Sequence, residues 1–421
     1  DNTAPANGSI MVVGGGISGL TTALEAAEVG YEVILVEKNP YLGGRVAQLN
    51  QYFPKLCPPT CGLEINFRRI KDNPRIKVLT LAEIEKVSGA PGSYDVAVRV
   101  APRYVNENCT ACGACAEACE TEISNEFNFG MDRIKGAYLP HEMAFPARFV
   151  ISPQIIGTED AQRCKEACKY DAVDLEMQPK TLNLQVGAIV WATGWEPYDA
   201  SRIDNLGFGR YQNIVSNMML ERMAAFNGPT QGKIQRPSDD QAPQSIAFVQ
   251  CAGSRDENHL PYCSYICCMA SLKHATYVRA QYPEAKVYIF YIDLRAPGQR
   301  YEKFYQKIKE DPNVFLIKGK VAEVSEDPQS GNLTVVAENA VTGEKIHQTV
   351  EMVVLATGMQ PTAANVKLPA DLKYTEDGFI INDFEKGGMF AAGCANKPAD
   401  VVSCNQNATG MALKAIQTLK R

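Results

Sequence analysis

The run SIMVVGGGISGLTTALEAAEVGYEVILVE, residues 9–37, constrains the fold more than any other stretch of the chain. An apolar segment, Ser9–Val13, ends in glycines and passes straight into an amphipathic segment closed by Gly30. A second apolar run, Tyr31–Glu37, follows at once. Buried strand, glycine turn, helix and buried strand in this order make a βαβ unit, the opening of a doubly wound sheet. Segments with strand character return at Val96–Val100, Ala188–Ala192, Ile246–Gln250, Lys286–Tyr291 and Val353–Ala356. The expected class is α/β with more than one domain, which 421 residues can accommodate.

Within that frame the composition excludes several roles. A net charge of −6 argues against a nucleic-acid partner, which would need a basic face. No apolar run is long enough to span a bilayer, and the polar start DNTAPANGS has no signal-peptide core. Fourteen cysteines in such a chain point to metal or redox chemistry rather than a disulfide framework.

Gly14, Gly16 and Gly19 stand in G-x-G-x-x-G register, and Glu37 ends the following strand, placed to accept from a ribose hydroxyl. The glycines admit a pyrophosphate to the backbone, and the helix start supplies N–H groups and positive dipole. A glycine turn without a ligand is the plain alternative. Gly43, Gly44 and Arg45 add a second glycine turn and a cation, which suits FAD better than NAD. WATGW (Trp191–Trp195) and LATGM (Leu355–Met359) resemble the turns that return the chain to the FAD domain in flavoproteins with two dinucleotide-binding domains. FAAGCANKPADVVSC resembles their flavin-binding finish, with Cys394 where Asp usually follows Gly393. The expected FAD set is Gly14, Gly16, Ile17, Ser18, Gly19, Glu37, Lys38, Gly44, Arg45, Ile84, Ala192, Thr193, Gly194, Gly393, Cys394, Val401 and Val402. The second domain should open near Ile246, but IAFVQCAGSRD lacks the later glycines, so a nicotinamide site is not expected there.

Between Arg103 and Pro179 the βαβ rhythm stops. Cys109, Cys112, Cys115 and Cys119 have the C-x2-C-x2-C-x3-C spacing of a bacterial ferredoxin. In that arrangement the fourth cysteine ligates the other cluster. A second motif survives only as Cys164 and Cys168, with Thr158 and Ala161 at its first two positions. The crossing rule assigns Cys109, Cys112, Cys115 and Cys168 to one 4Fe–4S cluster and leaves Cys119 and Cys164 over. Glu159 or Asp160 as oxygen ligands is a lesser alternative to loss of the second cluster. Glu120 and Lys169 stand where proline normally follows.

FVQCAGSRDENHLPYCSYICCMA places Cys251, Cys263, Cys267 and Cys268 close together. If Pro261 begins a helix, Cys263 and Cys267 share one of its faces. A disulfide, a catalytic dithiol and a metal cage are all open, although only a cage uses all four thiols. The four histidines, His141, His259, His274 and His347, show no catalytic pattern. Arg295, Arg300 and Lys303 read as a solvated helix face.

The C-x11-C-x3-C-C motif after VQ, together with NPRIKVLTLAEIEKVSG, YVNENCTACGAC and AGCANKPADV, resembles the flavin-bearing A-type subunits of heterodisulfide reductase over nearly the whole chain. That resemblance implies a second 4Fe–4S cluster at Cys251, Cys263, Cys267 and Cys268. Cys57 and Cys61 lie where the family has a shorter C-x2-C, leaving a redox pair or a structural loop open. The resemblance is expected to stop short of the family's long carboxy-terminal ferredoxin extension. A reduced form of this kind is most similar to the A-type subunits of the quinone-interacting membrane-bound oxidoreductase complexes of sulfate reducers. It implies an oxidoreductase subunit with FAD and two 4Fe–4S clusters, cytoplasmic and held at the inner face of the membrane through partners. Those partners would be a related flavin/iron–sulfur subunit together with a haem-bearing membrane subunit, and adenylylsulfate reductase would be the electron partner. The alternative is the same type of subunit in a soluble, flavin-bifurcating heterodisulfide reductase-type complex. A structural adaptor and a pyridine-nucleotide disulfide reductase are further rivals.

The expected fold is a thioredoxin-reductase-like flavoprotein of two dinucleotide-binding domains with an inserted ferredoxin-like α+β module. Residues 1–102 begin the FAD-binding domain, 103–178 form the module, and 179–245 are the domain's return and link. Residues 246–355 form a degenerate NAD-domain-like region, and 356–421 finish the FAD-binding domain.

Overall fold

A computed structural model describes residues 8–420; most of the polar start, residues 1–7, lies outside the described residues. The chain divides into two compact units. The first comprises residues up to Ala47, Thr60–Trp195 and Pro361 onward, and the second Gln48–Pro59 with Glu196–Gln360.

The first unit is built on a parallel five-stranded sheet in the order Met389–Ala391, Ala188–Trp191, Ser9–Val13, Glu32–Val36, Ile76–Leu79. Its central strands are apolar on both faces because both are covered, and all of Ser9–Val13 is buried. The helix Ile17–Glu28 lies against the final helix, Val401–Leu419, with Thr21 Oγ1 hydrogen-bonded to Asn405 Oδ1 at 3.0 Å. On the other side, Ala82–Ala90, Ser93–Val100 and Lys180–Val186 form an antiparallel sheet. Tyr94, Val96 and Val98 pack from it onto Met11, Ile34 and Trp191.

Residues 103–178 form a module of short antiparallel pairs, Glu122–Ser124 with Arg133–Lys135 and Ala137–Tyr138 with Val150–Ile151. Two short helices, Ala114–Ala118 and Glu159–Glu166, complete it. Its core joins Val105, Phe149, Ile151, Ile155 and Val173 to Cys115, Cys119 and Cys164. The buried Arg103 ties its entry to the preceding domain, donating to Thr80 Oγ1 at 2.9 Å and to the Pro40 carbonyl, and to the Arg148 carbonyl within the module.

The second unit has its own parallel sheet, ordered Ile214–Ser216, Met352–Thr357, Ser245–Ala252, Lys286–Tyr291, Val314–Lys318. Residues 179–245 are expected from the sequence to return to the first domain; here residues 196–245 fold with the second, because Ile214–Ser216 is the edge of its sheet. Gln48–Pro59 also belongs to this unit. Among the described residues no helix is long and apolar enough to cross a membrane.

Candidate functional site

The three glycines of the first turn serve different purposes. A Cβ on Gly14, whose φ is +111°, would lie 2.1 Å from the Ala192 carbonyl oxygen. One on Gly19 would lie 1.7 Å from Gly14 O, so this glycine lets the helix meet its own turn. Gly16 is different. Its backbone is extended (φ −76°, ψ −173°), and the nearest atom to an added Cβ is Gly44 Cα at 3.8 Å. Nothing in the protein demands glycine at position 16, and an approaching pyrophosphate would. The second glycine turn lies directly on the first, with Gly43 N–H donating to Gly15 O at 2.8 Å.

Glu37 is buried, and its two carboxylate oxygens accept from Gly15 N–H and Asn39 N–H, both at 2.7 Å. Burial raises its pKa above the usual carboxylate value, only partly offset by the N–H groups of Asn39 and Gly15. A second lone pair on each oxygen is left for a ribose hydroxyl. Lys38 beside it is exposed. Arg45 donates to the Trp195 carbonyl at 3.1 Å, its guanidinium 5.9 Å from both the Trp195 and Phe129 ring centroids. Trp195 closes the WATGW turn already singled out in the sequence, whereas Phe129 carries no sequence signal.

Ala192–Gly194 follow the strand Ala188–Trp191, and the Thr193 hydroxyl is buried without a hydrogen-bond partner. A buried orphan beside an open glycine cradle fits a bound dinucleotide. Ile84 is half-buried and packs against the cluster of Val36, Ala82 and Trp191. Asp400 caps the final helix by accepting from Ser403 N–H at 2.8 Å, and the amides of Val401 and Val402 open that helix, where N–H groups have no intrahelical partner. Gly393 adopts φ +62° with the Ser18 hydroxyl against it. Cys394, which stands where Asp is usual and belongs to the expected FAD set, turns its sulfur toward Ala399 O at 3.5 Å and Cys404 Sγ at 3.7 Å.

In the inserted module, Cys115 is pushed up to about 11, by burial first and then by Cys109 and Cys168, which places those three thiols within electrostatic reach of one another. Ala111 N–H and Ala172 N–H each donate to a sulfur, Cys109 Sγ and Cys168 Sγ, at 3.4 Å. Such N–H···S bonds tune cluster potentials. Cys112 is exposed on the same turn.

The leftover position is filled by Asp160. Its carboxylate accepts from Thr121 N–H at 2.7 Å, Glu120 N–H at 2.9 Å and Cys119 Sγ at 3.4 Å, and pairs with Arg163 at 2.7 Å. Burial would raise its pKa, but these donors hold it well below the usual range. Cys164 is pushed up to about 12 by burial and by Cys119 beside it, and donates to Cys115 O at 3.3 Å. Thr158 caps the helix Glu159–Glu166, accepting from Ala161 N–H at 3.4 Å.

In the second unit Cys251 is the penultimate residue of the strand Ser245–Ala252, with φ +54°. The helix expected from Pro261 begins only at Cys267. Residues up to Ile266 instead form a loop held by the buried Ser254–Ser264 hydroxyl pair at 2.6 Å and by Met359 N–H donating to Ser264 at 2.8 Å. Cys263 and Cys267 therefore do not share a helix face, yet the four thiols remain grouped. Burial pushes Cys267 far up, with Cys251, Cys268 and Cys263 adding to it, and Cys251 rises to about 11 by burial and then Cys268. Cys268 Sγ donates to Asp293 O at 3.4 Å, and Tyr265 N–H to Cys263 Sγ at 3.3 Å. The turn after this strand is packed by the protein's own side chains: a Cβ on Gly253 would meet the Tyr198 ring at 2.7 Å.

Among the described residues no three His, Cys, Asp or Glu side chains converge as they would on a single metal ion. A four-iron cube spaces its thiolates more widely than one ion does, and the all-thiolate donor sets suit iron–sulfur chemistry.

His274 lies in a network with no sequence motif to announce it. Its Nε2 meets Glu221 Oε1 at 2.7 Å, Lys273 contacts the same carboxylate, and all three side chains are at most 2% exposed. Asn50 N–H donates to Glu221 at 2.9 Å, and Lys273 Nζ donates to Gln51 O at 2.7 Å. These bonds anchor Gln48–Pro59 in the second unit. Burial would raise the Glu221 pKa, but Lys273 and His274 bring it down to about 2.

Residues 12–77 match the profile of the NAD(P)-binding Rossmann-like domain. The whole chain is similar in fold to thioredoxin reductase of Lactococcus lactis, with a TM-score of 0.55 and 12% identity over 98% of this chain and 99% of that one. Thioredoxin reductase of T. acidophilum gives 0.52 and 13% over 97% and 96%. The fold is thus thioredoxin-reductase-like. In sequence, the second A-type iron-sulfur subunit of the CoB–CoM heterodisulfide reductase of Methanopyrus kandleri is 38% identical over 97% of this chain and 64% of its own length. The corresponding A-type component of the H(2):CoB-CoM heterodisulfide,ferredoxin reductase of Methanothermobacter thermautotrophicus is 35% identical over 96% and 63%. The chain spans less than two thirds of these relatives. Over the part they share, it belongs to the family of heterodisulfide reductase A-type subunits.

Proposed function

We propose that the chain is an electron-transferring oxidoreductase subunit with FAD in its first unit and two 4Fe–4S clusters, one in each unit. The observation that carries this reading is the pairing of an open glycine cradle with two separate four-cysteine groups. When bound, FAD takes up electrons in pairs and the clusters pass them singly. The chain's own residues do the holding. Gly14–Gly19 and Gly44 admit the diphosphate, with Ile17 and Ser18 opening the helix above it; Glu37 takes the ribose, with Lys38 and Arg45 as nearby cations. Ile84 and Ala192–Gly194 wall the pocket, and Gly393, Cys394, Val401 and Val402 close it at the flavin end. Cys109, Cys112, Cys115 and Cys168 hold one cluster; Cys251, Cys263, Cys267 and Cys268 hold the other. Asp160, already saturated with donors, keeps the leftover position free of iron.

For the electron partners, the motif resemblance favours a link between the membrane quinone pool and adenylylsulfate reductase, through a related flavin/iron–sulfur subunit together with a haem-bearing membrane subunit. On this reading the chain works at the cytoplasmic face of the membrane. The names of its relatives favour a second reading, the A-type component of a heterodisulfide reductase-type complex. Isolation of the native complex separates them. Co-purification of a haem-bearing membrane protein, with flavin reduction by a quinol, supports the first; a soluble complex that reduces a heterodisulfide refutes it in favour of the second.

A further inference from the structure

Cys394 and Cys404 lie within the first unit and match no cluster motif. Cys394 sits in the turn Gly393–Ala395, and Cys404 in the first turn of the final helix. Their sulfurs are 3.7 Å apart, and the residues are 6% and 4% exposed. Both sulfurs are also directed at Ala399 O, at 3.5 and 4.0 Å. A disulfide requires an S–S distance of about 2.05 Å, so closure asks the sulfurs to approach by less than ~2 Å. Three segments given to the FAD surround the pair. Gly393 precedes Cys394, Val401 and Val402 precede Cys404, and Ser18 of the glycine turn lies against Gly393 and hydrogen-bonds Cys404.

We propose that Cys394 and Cys404 are a reversible thiol/disulfide couple that exchanges an electron pair with the FAD of the same unit, an inference that rests on the FAD reading above. In the reducing direction the S–S bond breaks and two S–H bonds form, while the dihydroflavin loses two electrons and two protons and becomes oxidised flavin. The reverse step closes the disulfide and reduces the flavin. Burial hinders bulky soluble thiols, and the three FAD segments around the pair make the cofactor its exchange partner. The environment divides the roles. Cys404 is held below the usual thiol value because Cys394 and Ser18 donate to it, although burial opposes this. Cys394 is pushed far up, first by its bond to Cys404 and then by burial. Cys404 is thus the more acidic of the two sulfurs, the one disposed to attack when the bond forms.

The test uses the full chain as purified, under anaerobic conditions. Diamide is added and removed, and differential alkylation with mass analysis reads the state of each cysteine. The expected result is a peptide linked through Cys394 and Cys404 that opens when the flavin is photoreduced with no thiol present. In a reductive titration the oxidised chain should take about two more electron equivalents than Cys404→Ser or Cys394→Ser, the count of one disulfide. A flavin-loaded chain in which both cysteines stay free thiols after diamide overturns the couple. A link that forms but survives complete bleaching of the flavin overturns the electron exchange alone. A chain that forms the link but holds no flavin overturns the FAD reading, and the exchange with it.

Discussion

Substituting Gly16 by alanine separates the ligand's needs from the fold's. In the apoprotein the added methyl has 3.8 Å to its nearest neighbour, and the backbone at Gly16 is an extended conformation open to any residue. The folded chain should tolerate it, with stability changed by no more than about 0.5 kcal/mol. The same methyl stands where the pyrophosphate must touch backbone, so it must push the phosphate away or be pushed itself. Loss of close N–H contact to a charged group costs about 1.5–3 kcal/mol per hydrogen bond. At 1.4 kcal/mol per decade, two such bonds weaken FAD binding by at least ~100-fold. Gly19→Ala is the control: its methyl would overlap the Gly14 carbonyl oxygen, 1.7 Å away, and should destabilise the chain with or without cofactor. The assay is flavin fluorescence titration of deflavinated protein, paired with thermal melting of the same samples. Unchanged FAD affinity in Gly16→Ala would refute the placement of the diphosphate, and a large loss of apoprotein stability would refute the claim that position 16 is free of packing demands.

Cys168→Ser and Cys112→Ser should remove the same cluster, lowering iron from about eight to about four per chain, whereas Cys119→Ser should leave iron nearly unchanged; iron analysis with low-temperature EPR checks this. Asp160→Ala removes the acceptor shared by the N–H groups of Glu120 and Thr121, both on exposed residues that water reaches, and should cost about 1 kcal/mol in urea unfolding. Because the folded-state pKa of Asp160 is depressed, its contribution is fully present above the unfolded value of about 3.9 and is lost as pH falls below it; wild type and variant should therefore converge in acid. Lys273→Met leaves the buried Glu221 carboxylate short of its cation and should destabilise the second unit by about 3–5 kcal/mol, with Glu221→Gln in the same chain recovering part of the loss.

What the sequence makes legible is whatever depends on near neighbours along the chain. The βαβ opening follows from residues 9–37, and the strands expected at Ala188, Ile246, Lys286 and Val353 are present, Lys286–Tyr291 with the expected bounds and the others with bounds moved by at most two residues. The first ferredoxin motif is equally local. Features that join distant residues leave no such trace. Glu221 and His274 are 53 positions apart, and neither has a motif, so nothing local announces their burial together. Gln48–Pro59 continues the FAD-type glycine turn in sequence, but its backbone serves Glu221 and Lys273. The helix does not start at Pro261 because hydroxyl bonds from Ser254 and Ser264 hold the chain in a loop, a tertiary cause that outweighs local propensity. Asp160 is a conceivable oxygen ligand for iron by sequence, while its role as acceptor for two amides appears only when the chain is folded.

The second unit's need for Gln48–Pro59 has a consequence for how the protein is made. Peptide leaves the ribosome in sequence order, at about 5–20 residues per second. Asn50 and Gln51 emerge early, yet Glu221 and Lys273, which receive them, come much later. The first unit waits longer still, because Met389–Ala391 is an edge strand of its sheet and Val401–Leu419 covers its first helix. The later unit is therefore complete before the earlier one, and flavin loading falls after translation of the segment is over. A recombinant fragment covering 196–360 alone would bury a Lys–Glu pair with its backbone partners missing. Co-expression with a peptide spanning residues 48–59 is the form in which that fragment should become soluble.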